Sequence, residues 1–386
     1  MLQAAVAMIL QRSKLVRFAA SAALLWGSAL PLRATSAPAP GRISVRVSPP
    51  VPAVQRKGIT GAGFALAGPG SGQVTLFYPN HPDDFGGSTG TGAAVTNDGG
   101  ASWSALPDDW PVARCADLWA DPVAEGRFAA LGIRWLPEPK MRGQLVAKDA
   151  PEAPWTVAIS ADGRHWAETP ARCQLESAEG VVARPMPHIF TAWSGAWLMP
   201  AYVWTKTGSK AVLLQSWDEG KRWMERSTIT TSAGIVKTQV PVTTPWLESM
   251  VARTTDGSLL AVVRTGSSLE SLVVSSRSED DGLTWSQPQT ILPEDEPSPV
   301  TGKLPNLLLL PNGMLALLSA HTKFGCRLFL SPDGTGKRWQ KSQLITTVSG
   351  GNTSMVALDK TTLLVFTPAN SKIQCWRVDI SAVVQP

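Results

Sequence analysis

The sequence predicts an all-β protein, a ring of six four-stranded β-sheet blades, with seven blades as the second count. Three observations carry that expectation. The 386 residues include 33 Gly and 31 Pro, which implies many turns and few long helices. Trp occurs 16 times against 2 Tyr, so a large aromatic side chain serves a repeated packing role. A turn motif also recurs at a spacing that suits a radial array.

The motif is Ser/Thr-x-Asp-x-Gly-x-x-Trp. Its first copy is Thr96-Asn97-Asp98-Gly99-Gly100-Ala101-Ser102-Trp103. The second, Ser160-Ala161-Asp162-Gly163-Arg164-His165-Trp166, is one residue short. Ser216 to Trp223, around Asp218, and Ser278 to Trp285, around Asp280, are full copies. Ser331 to Trp339, around Asp333, is one residue long. Successive box aspartates lie 64, 56, 62 and 53 positions apart. β-type runs precede the boxes: Ala211-Val212-Leu213-Leu214, Leu272-Val273-Val274 and Arg327-Leu328-Phe329-Leu330. Each box is therefore expected in a hairpin turn. There Asp folds back onto following N–H groups, Gly takes positive φ, and Trp covers the turn. That role is structural, so no box residue is expected to be catalytic. Five such units and one without a box fill the chain, and closing them into a ring removes exposed sheet edges.

Composition excludes other classes. Hydrophobic residues make up 44% and charged residues 17%, too apolar for a disordered chain and too sparsely charged for a coiled coil. The net charge of +5 has no clustered basic run, so nucleic acid is not an expected partner. Residues 1–37 read as an export signal. Arg12, Lys14 and Arg17 precede an apolar stretch from Phe18 to Leu32, and small residues follow in Ala34-Thr35-Ser36-Ala37. The apolar stretch is short for a membrane span, so no stable span is expected after cleavage, and the protein is expected to be secreted or periplasmic. Residues 38–54 read as a linker leading into the first strand, and 55–386 as the propeller. Cys115, Cys173, Cys326 and Cys375 are widely spaced and form no CxxC. They fit either free buried thiols or disulfides whose pairing is open. The four His show no metal-ligand spacing, so neither a metal nor any other cofactor is expected.

The boxes resemble the Asp-boxes, or bacterial neuraminidase repeats, of the sialidase superfamily. Segments between them extend the resemblance. Trp246-Leu247-Glu248-Ser249 through Val262-Val263-Arg264-Thr265 is similar to the stretch in which a Glu begins one strand and an Arg ends the next. Leu304-Pro305-Asn306 on to Cys326-Arg327-Leu328 is similar to the segment that delivers a further Arg. Leu198-Met199-Pro200-Ala201-Tyr202 resembles a central strand. The resemblance implies an exported glycoside hydrolase acting on sialic acid or a related acidic glycan. Its carboxylate would be held by Arg, whose planar, permanently charged fork suits bidentate recognition. By this mapping Arg264 and Arg327 are the second and third Arg, and Arg56 is the candidate for the first. Glu248 is the catalytic carboxylate, with a structural pairing to Arg264 as its other reading. Asp84 or Asp83, in the turn-rich stretch before the first box, is the acid/base.

One departure matters. The family nucleophile is a Tyr, and Gly351-Asn352-Thr353-Ser354-Met355 places Asn352 there. An amide does not ionise to a nucleophile, so an altered, non-Tyr mechanism is expected, with water attacking directly and inverting the anomeric centre. A non-catalytic glycan-binding propeller and a purely structural one are the competing readings.

Overall fold

The computed structural model describes residues 43–56, 61, 63–79, 91–107, 117–124, 126–133, 155–175, 180–205, 208–237, 247–266, 270–321, 323–348, 351–369 and 371–382. These form twenty-six strands and one six-residue helix. Two short strands, β1 (Ile43–Val47) and β2 (Val51–Gln55), come first. The next four, β3 (Phe64–Ala67), β4 (Val74–Pro79), β5 (Thr91–Thr96) and β6 (Ser104–Ala105), pair in order as an antiparallel sheet. β7 (Asp117–Ala124), β8 (Arg127–Ile133), β9 (Trp155–Ser160) and β10 (Ala167–Gln174) form a second meander. The third comprises β11 (Gly180–Pro185), β12 (Phe190–Thr191), β13 (Trp197–Thr205), β14 (Gly208–Ser216) and β15 (Arg222–Thr231). Both β11 and β12 lie against β13, and α1 (Ser232–Lys237) follows. A parallel contact between β10 and β15 joins the second and third meanders into one nine-stranded sheet.

The remaining meanders are separate. β16 (Ser249–Arg253), β17 (Leu259–Arg264), β18 (Val273–Ser278) and β19 (Gln289–Thr290) make the fourth. β20 (Lys303–Leu309), β21 (Leu315–His321), β22 (Gly325–Ser331) and β23 (Gln343–Thr346) make the fifth. β24 (Ser354–Ala357), β25 (Thr362–Ala369) and β26 (Lys372–Ala382) make the last, and its outer edge is completed from the other end of the chain: β1 and β2 both pair antiparallel with β26. Pairing the two ends of the chain in one sheet covers an edge that would otherwise be open. The described strands thus divide into six antiparallel units. Their innermost strands touch in sequence, β3 to β7, β7 to β12, β13 to β16, β16 to β20 and β20 to β24, and β24 touches β3. This closed order is a β-propeller.

All five boxes lie in turns between the third and fourth strands of their units. In the fourth unit the Ser278 hydroxyl donates to Asp280 Oδ1 at 2.8 Å and accepts from Gly282 N at 2.7 Å. Asp280 Oδ1 also accepts from Thr284 N at 2.8 Å, and its Oδ2 from the Thr284 hydroxyl at 2.6 Å. The Ser/Thr-to-Asp bond recurs at Thr96–Asp98, Ser160–Asp162, Ser216–Asp218 and Ser331–Asp333. The turn is therefore held by its own side chains, which answers the backbone donors that a tight turn leaves open.

The boxes also join the units. The ring of Trp103 packs edge-on against Phe366 of the last unit, and that of Trp166 against Phe77 of the first. Trp285 Nε1 donates to Ser227 Oγ of the third unit at 3.0 Å. Asp281 forms a 2.5 Å ion pair with Arg253 and accepts a 3.0 Å bond from Trp193 N on the third unit. Thr255 Oγ1, in the β16–β17 turn, donates to Asp333 O of the fifth unit at 2.6 Å. The boxes thus pack against the unit before their own, and the first packs against the last. Trp103, Trp166 and Trp285 thus stand at seams between sheets, where a large aromatic side chain buries apolar area.

The principal core runs through the second to fifth units. It includes Leu131, Val157, Met199, Tyr202, Leu213, Trp223, Val262 and Leu317, all essentially inaccessible. Of the cysteines, Cys173, Cys326 and Cys375 are free thiols, and burial pushes each up to about 12, so they are inert packing residues. Cys115 lies outside the described residues. No helix among the described residues is long and apolar enough to cross a membrane.

Candidate functional site

In an antiparallel meander, turns joining strands one to two and three to four fall at one end. The connection from two to three and the lead-in to strand one fall at the other. The boxes occupy the first end. Glu248 immediately precedes β16, Arg264 closes β17, Arg327 lies near the start of β22, and Asn352 precedes β24. All four therefore lie at the end opposite the boxes.

Glu248 and Arg264 are brought together. The β16–β17 register sets Ser249 opposite Val263, and Arg264 N donates to Glu248 O at 2.9 Å. Their side chains meet at 2.6 Å between Arg264 Nη1 and Glu248 Oε2, with only 2% and 5% of each exposed. A buried pair of this kind is costly to desolvate and weak evidence for stability, which makes it a candidate for function.

Arg327 is held elsewhere. Its Nη1 donates to Ser342 Oγ at 2.5 Å and lies 3.7 Å from Glu296 Oε1, and Ser342 Oγ in turn donates to Glu296 at 2.6 Å. Its guanidinium sits 5.5 Å from the centre of the Phe324 ring. His321, at the end of β21, stacks on the same ring at 4.5 Å. The Nδ1 of His321 accepts from Lys323 N at 3.0 Å and Phe324 N at 3.3 Å. Partial burial, with the positive charges of Lys323 and Arg327, holds this imidazole below its usual pKa against the opposing pull of Glu270. It is therefore a neutral ring whose Nε2–H is available as a donor.

Arg56 follows β2, is exposed, and its backbone N donates to Ser371 O at 2.9 Å. Asn352 forms an isolated parallel bridge with Gly61, linking the start of the last unit to the lead-in of the first. Asp83 and Asp84 lie outside the described residues. Among the described residues no group of three His, Cys, Asp or Glu is placed to hold a metal ion.

The sequence reading named Asn352 as a substrate-binding residue but assigned no role to Ser249, Asn306 and Ser354 on neighbouring inner strands. Ser249, Asn306 and Ser354 are at most 1% exposed. Asn306 Nδ2 donates to Thr353 O at 2.7 Å and to Leu304 O at 3.2 Å. The Ser249 and Ser354 hydroxyls and the side-chain oxygens of Asn306 and Asn352 are buried without a hydrogen-bond partner in the protein. Small polar residues in inner strands leave no motif. The only sequence signal was an Asn or Ser interrupting an otherwise apolar strand, as in Asn306-Leu307-Leu308-Leu309.

A second buried titratable pair lies away from that end. His188 Nδ1 is 2.5 Å from Asp121 Oδ1, and Asp121 Oδ2 accepts from Ile189 N at 2.8 Å. Burial alone would lower the His188 pKa. The Asp121 charge and hydrogen bond raise it, and they prevail. With Asp121 on β7 and His188 just ahead of β12, the pair ties the second unit to the third.

The closed ring and the box turns define a repeat-built β-propeller. The family model of the BNR repeat-like domain matches residues 144–376, more than half of the chain, and the chain belongs to that family. No curated protein matches it. Among solved structures, a protein of unknown function from Dyadobacter fermentans DSM 18053 superposes with a TM-score of 0.63 at 18% identity, over 89% of this chain and 100% of that one. The Hadza microbial sialidase Hz136 gives 0.60 at 15% identity, over 84% of this chain and 65% of its own. The GH93 α-L-arabinofuranosidase of Fusarium graminearum, solved with arabinobiose, gives 0.57 at 14% identity, over 87% and 98%. These likenesses are of fold. The chain spans about two thirds of the Hadza sialidase.

Proposed function

We propose that this protein is an exported glycoside hydrolase, secreted or periplasmic, that acts on the terminal sugar of a glycan at the end of the propeller opposite the boxes. The observation that carries the proposal is the buried Glu248–Arg264 pair at 2.6 Å, and inner strands of the fourth to sixth units also carry buried polar oxygens that the protein itself leaves without partners. Glu248 is a catalytic carboxylate, and its pair with Arg264 orients it. Asn352 supplies no nucleophile, so water attacks the anomeric carbon as the glycosidic C–O bond breaks; of Glu248 and one of Asp83 and Asp84, one carboxyl takes the water's proton and the other protonates the leaving oxygen. The resemblance offers sialic acid or a related acidic sugar as substrate, held by Arg56, Arg264 and Arg327. Relatives in fold, a sialidase and an arabinofuranosidase, support a glycosidase without choosing the sugar.

The test is turnover of a panel of aryl and natural glycosides, with the first-formed anomer followed by NMR. Hydrolysis with inversion, lost in Glu248→Gln, is expected. Hydrolysis that survives Glu248→Gln removes Glu248 from the mechanism. A second reading, a glycan-binding propeller without catalysis, is favoured by Asn352 alone. Saturable binding of glycans with no turnover of any of them would establish it.

A further inference from the structure

We infer that this site selects a neutral, hydroxyl-rich sugar over a sugar acid, an inference that rests on the glycan-processing reading above. The charges are the first ground. A carboxylate ligand needs cations whose charge is not already answered. Arg264 faces Glu248 at 2.6 Å, Arg327 faces Glu296 at 3.7 Å, and Lys323 faces Glu270 at 3.8 Å. Each of these three cations faces a carboxylate, and an incoming anion would have to displace or oppose it.

The second ground is the type of the unpartnered atoms. Because Asn306 Nδ2 is committed to two carbonyls, Thr353 O and Leu304 O, its amide orientation is fixed and the unpartnered atom is Oδ1. That oxygen only accepts. A carboxylate at neutral pH also only accepts, so it cannot satisfy this oxygen, whereas a hydroxyl can donate to it. Ser249 Oγ and Ser354 Oγ add two groups that donate and accept.

The third ground is placement. Ser249 opens β16, Asn306 lies within β20, and Asn352 and Ser354 stand at the start of β24. β16 touches β20, and β20 touches β24. Asn306 spans the last two by its bond to Thr353 O. The polar residues thus follow successive inner strands, the first of them next to Glu248 in the chain. Buried polar atoms left unpaired are few in folded proteins, and each calls for water or a ligand.

The experiment is calorimetric binding to the full chain of matched pairs: methyl α-galactopyranoside against methyl α-galacturonide, and methyl α-L-arabinofuranoside against N-acetylneuraminic acid. A neutral glycoside is expected to bind at least tenfold more tightly than either acid. Asn352→Leu and Ser354→Ala should each weaken it about tenfold while the thermal midpoint stays within a few degrees. Equal or tighter binding of the acids overturns the inference, as does unchanged affinity in both variants. Turnover of an acidic glycoside with neutral ones inert overturns it and leaves the hydrolase reading standing. Neutral binding without turnover upholds it and removes the hydrolase reading. No binding by any sugar, with ordered water on these atoms in a crystal structure, overturns both.

Discussion

The Glu248 carboxylate and the Arg264 guanidinium meet at 2.6 Å because two antiparallel strands set their parent residues face to face at the same end of a blade. Each is almost fully buried, so the charge of one is the principal compensation for the other. Removing a single partner leaves a charge stranded in the interior, which costs about 3–5 kcal/mol, whereas replacing both by apolar groups is often close to neutral. Arg264→Met should therefore lower stability by about that amount in urea denaturation, and Glu248→Leu with Arg264→Met should recover most of it. A loss below about 1 kcal/mol in the single variant would show that another group compensates Glu248.

The box turns give a prediction about backbone. Gly220 has φ of 82°, and a Cβ there would lie 2.9 Å from Val157 Cγ2 and 3.3 Å from the Trp197 ring. Val157 belongs to the preceding unit and is buried, so it has little room to move. Gly220→Val should combine left-handed strain with overpacking at a seam and lose about 2–4 kcal/mol. Chemical denaturation measures this. A loss under about 1 kcal/mol would mean that the seam between the second and third units repacks freely.

Two titrating sites predict how stability depends on pH, with opposite signs. His188 has its pKa raised in the folded protein. Its contribution is complete below the unfolded value of about 6.5 and disappears as pH rises through the folded value. Thermal midpoints should fall over that range, and His188→Gln should flatten the fall. Asp280 is shifted the other way, to about 2. Its slight burial would raise it, but the hydroxyl and N–H of Thr284, the Ser278 hydroxyl and the Leu283 N–H lower it. That contribution is present above about 4 and is lost as pH falls toward 2. Asp280→Asn should therefore blunt acid destabilisation while leaving the alkaline limb unchanged. If both variants track the wild type at every pH, neither pair governs the profile.

The architecture was legible because a box writes its chemistry into consecutive residues. Ser216, Asp218, Gly220 and Trp223 lie within one turn, so local hydrogen bonds and a positive φ leave a readable pattern. The spacing of the copies then implies the array. The Glu248–Arg264 pair was legible for a related reason: sixteen residues and one hairpin separate the two, and strand register sets them opposite. Partners that depend on packing between units were not legible. The ion pair of Arg327 with Glu296 depends on how the β19–β20 connection lies over β22. Asn306 meets Thr353 only across two adjacent units, 47 positions apart in the chain. His188 and Asp121, 67 apart, meet in the same way. A sequence records such meetings only as isolated polar residues in apolar surroundings.

Asn352 carries the sharpest test of chemistry. It precedes β24 at the end of the ring that holds Glu248, and its bridge to Gly61 fixes the backbone from which its side chain projects. Retaining hydrolysis by a tyrosyl route needs a phenol at this position, and the side chain here is an amide. The wild-type protein should therefore show little or no activity on aryl sialosides and form no covalent adduct with fluorinated sialic-acid probes. Asn352→Tyr restores the missing phenol. If the remaining machinery is that of a sialidase, measurable turnover and a trappable adduct should appear in the variant, detected by product release and by intact-protein mass. If the site is built for a neutral sugar, the phenol gains nothing on sialosides and obstructs binding of the neutral ligand, so affinity falls while sialosides stay untouched. Strong wild-type sialidase activity with retention would place the nucleophile on another residue, with Tyr78 and Tyr202 the two phenols in the chain.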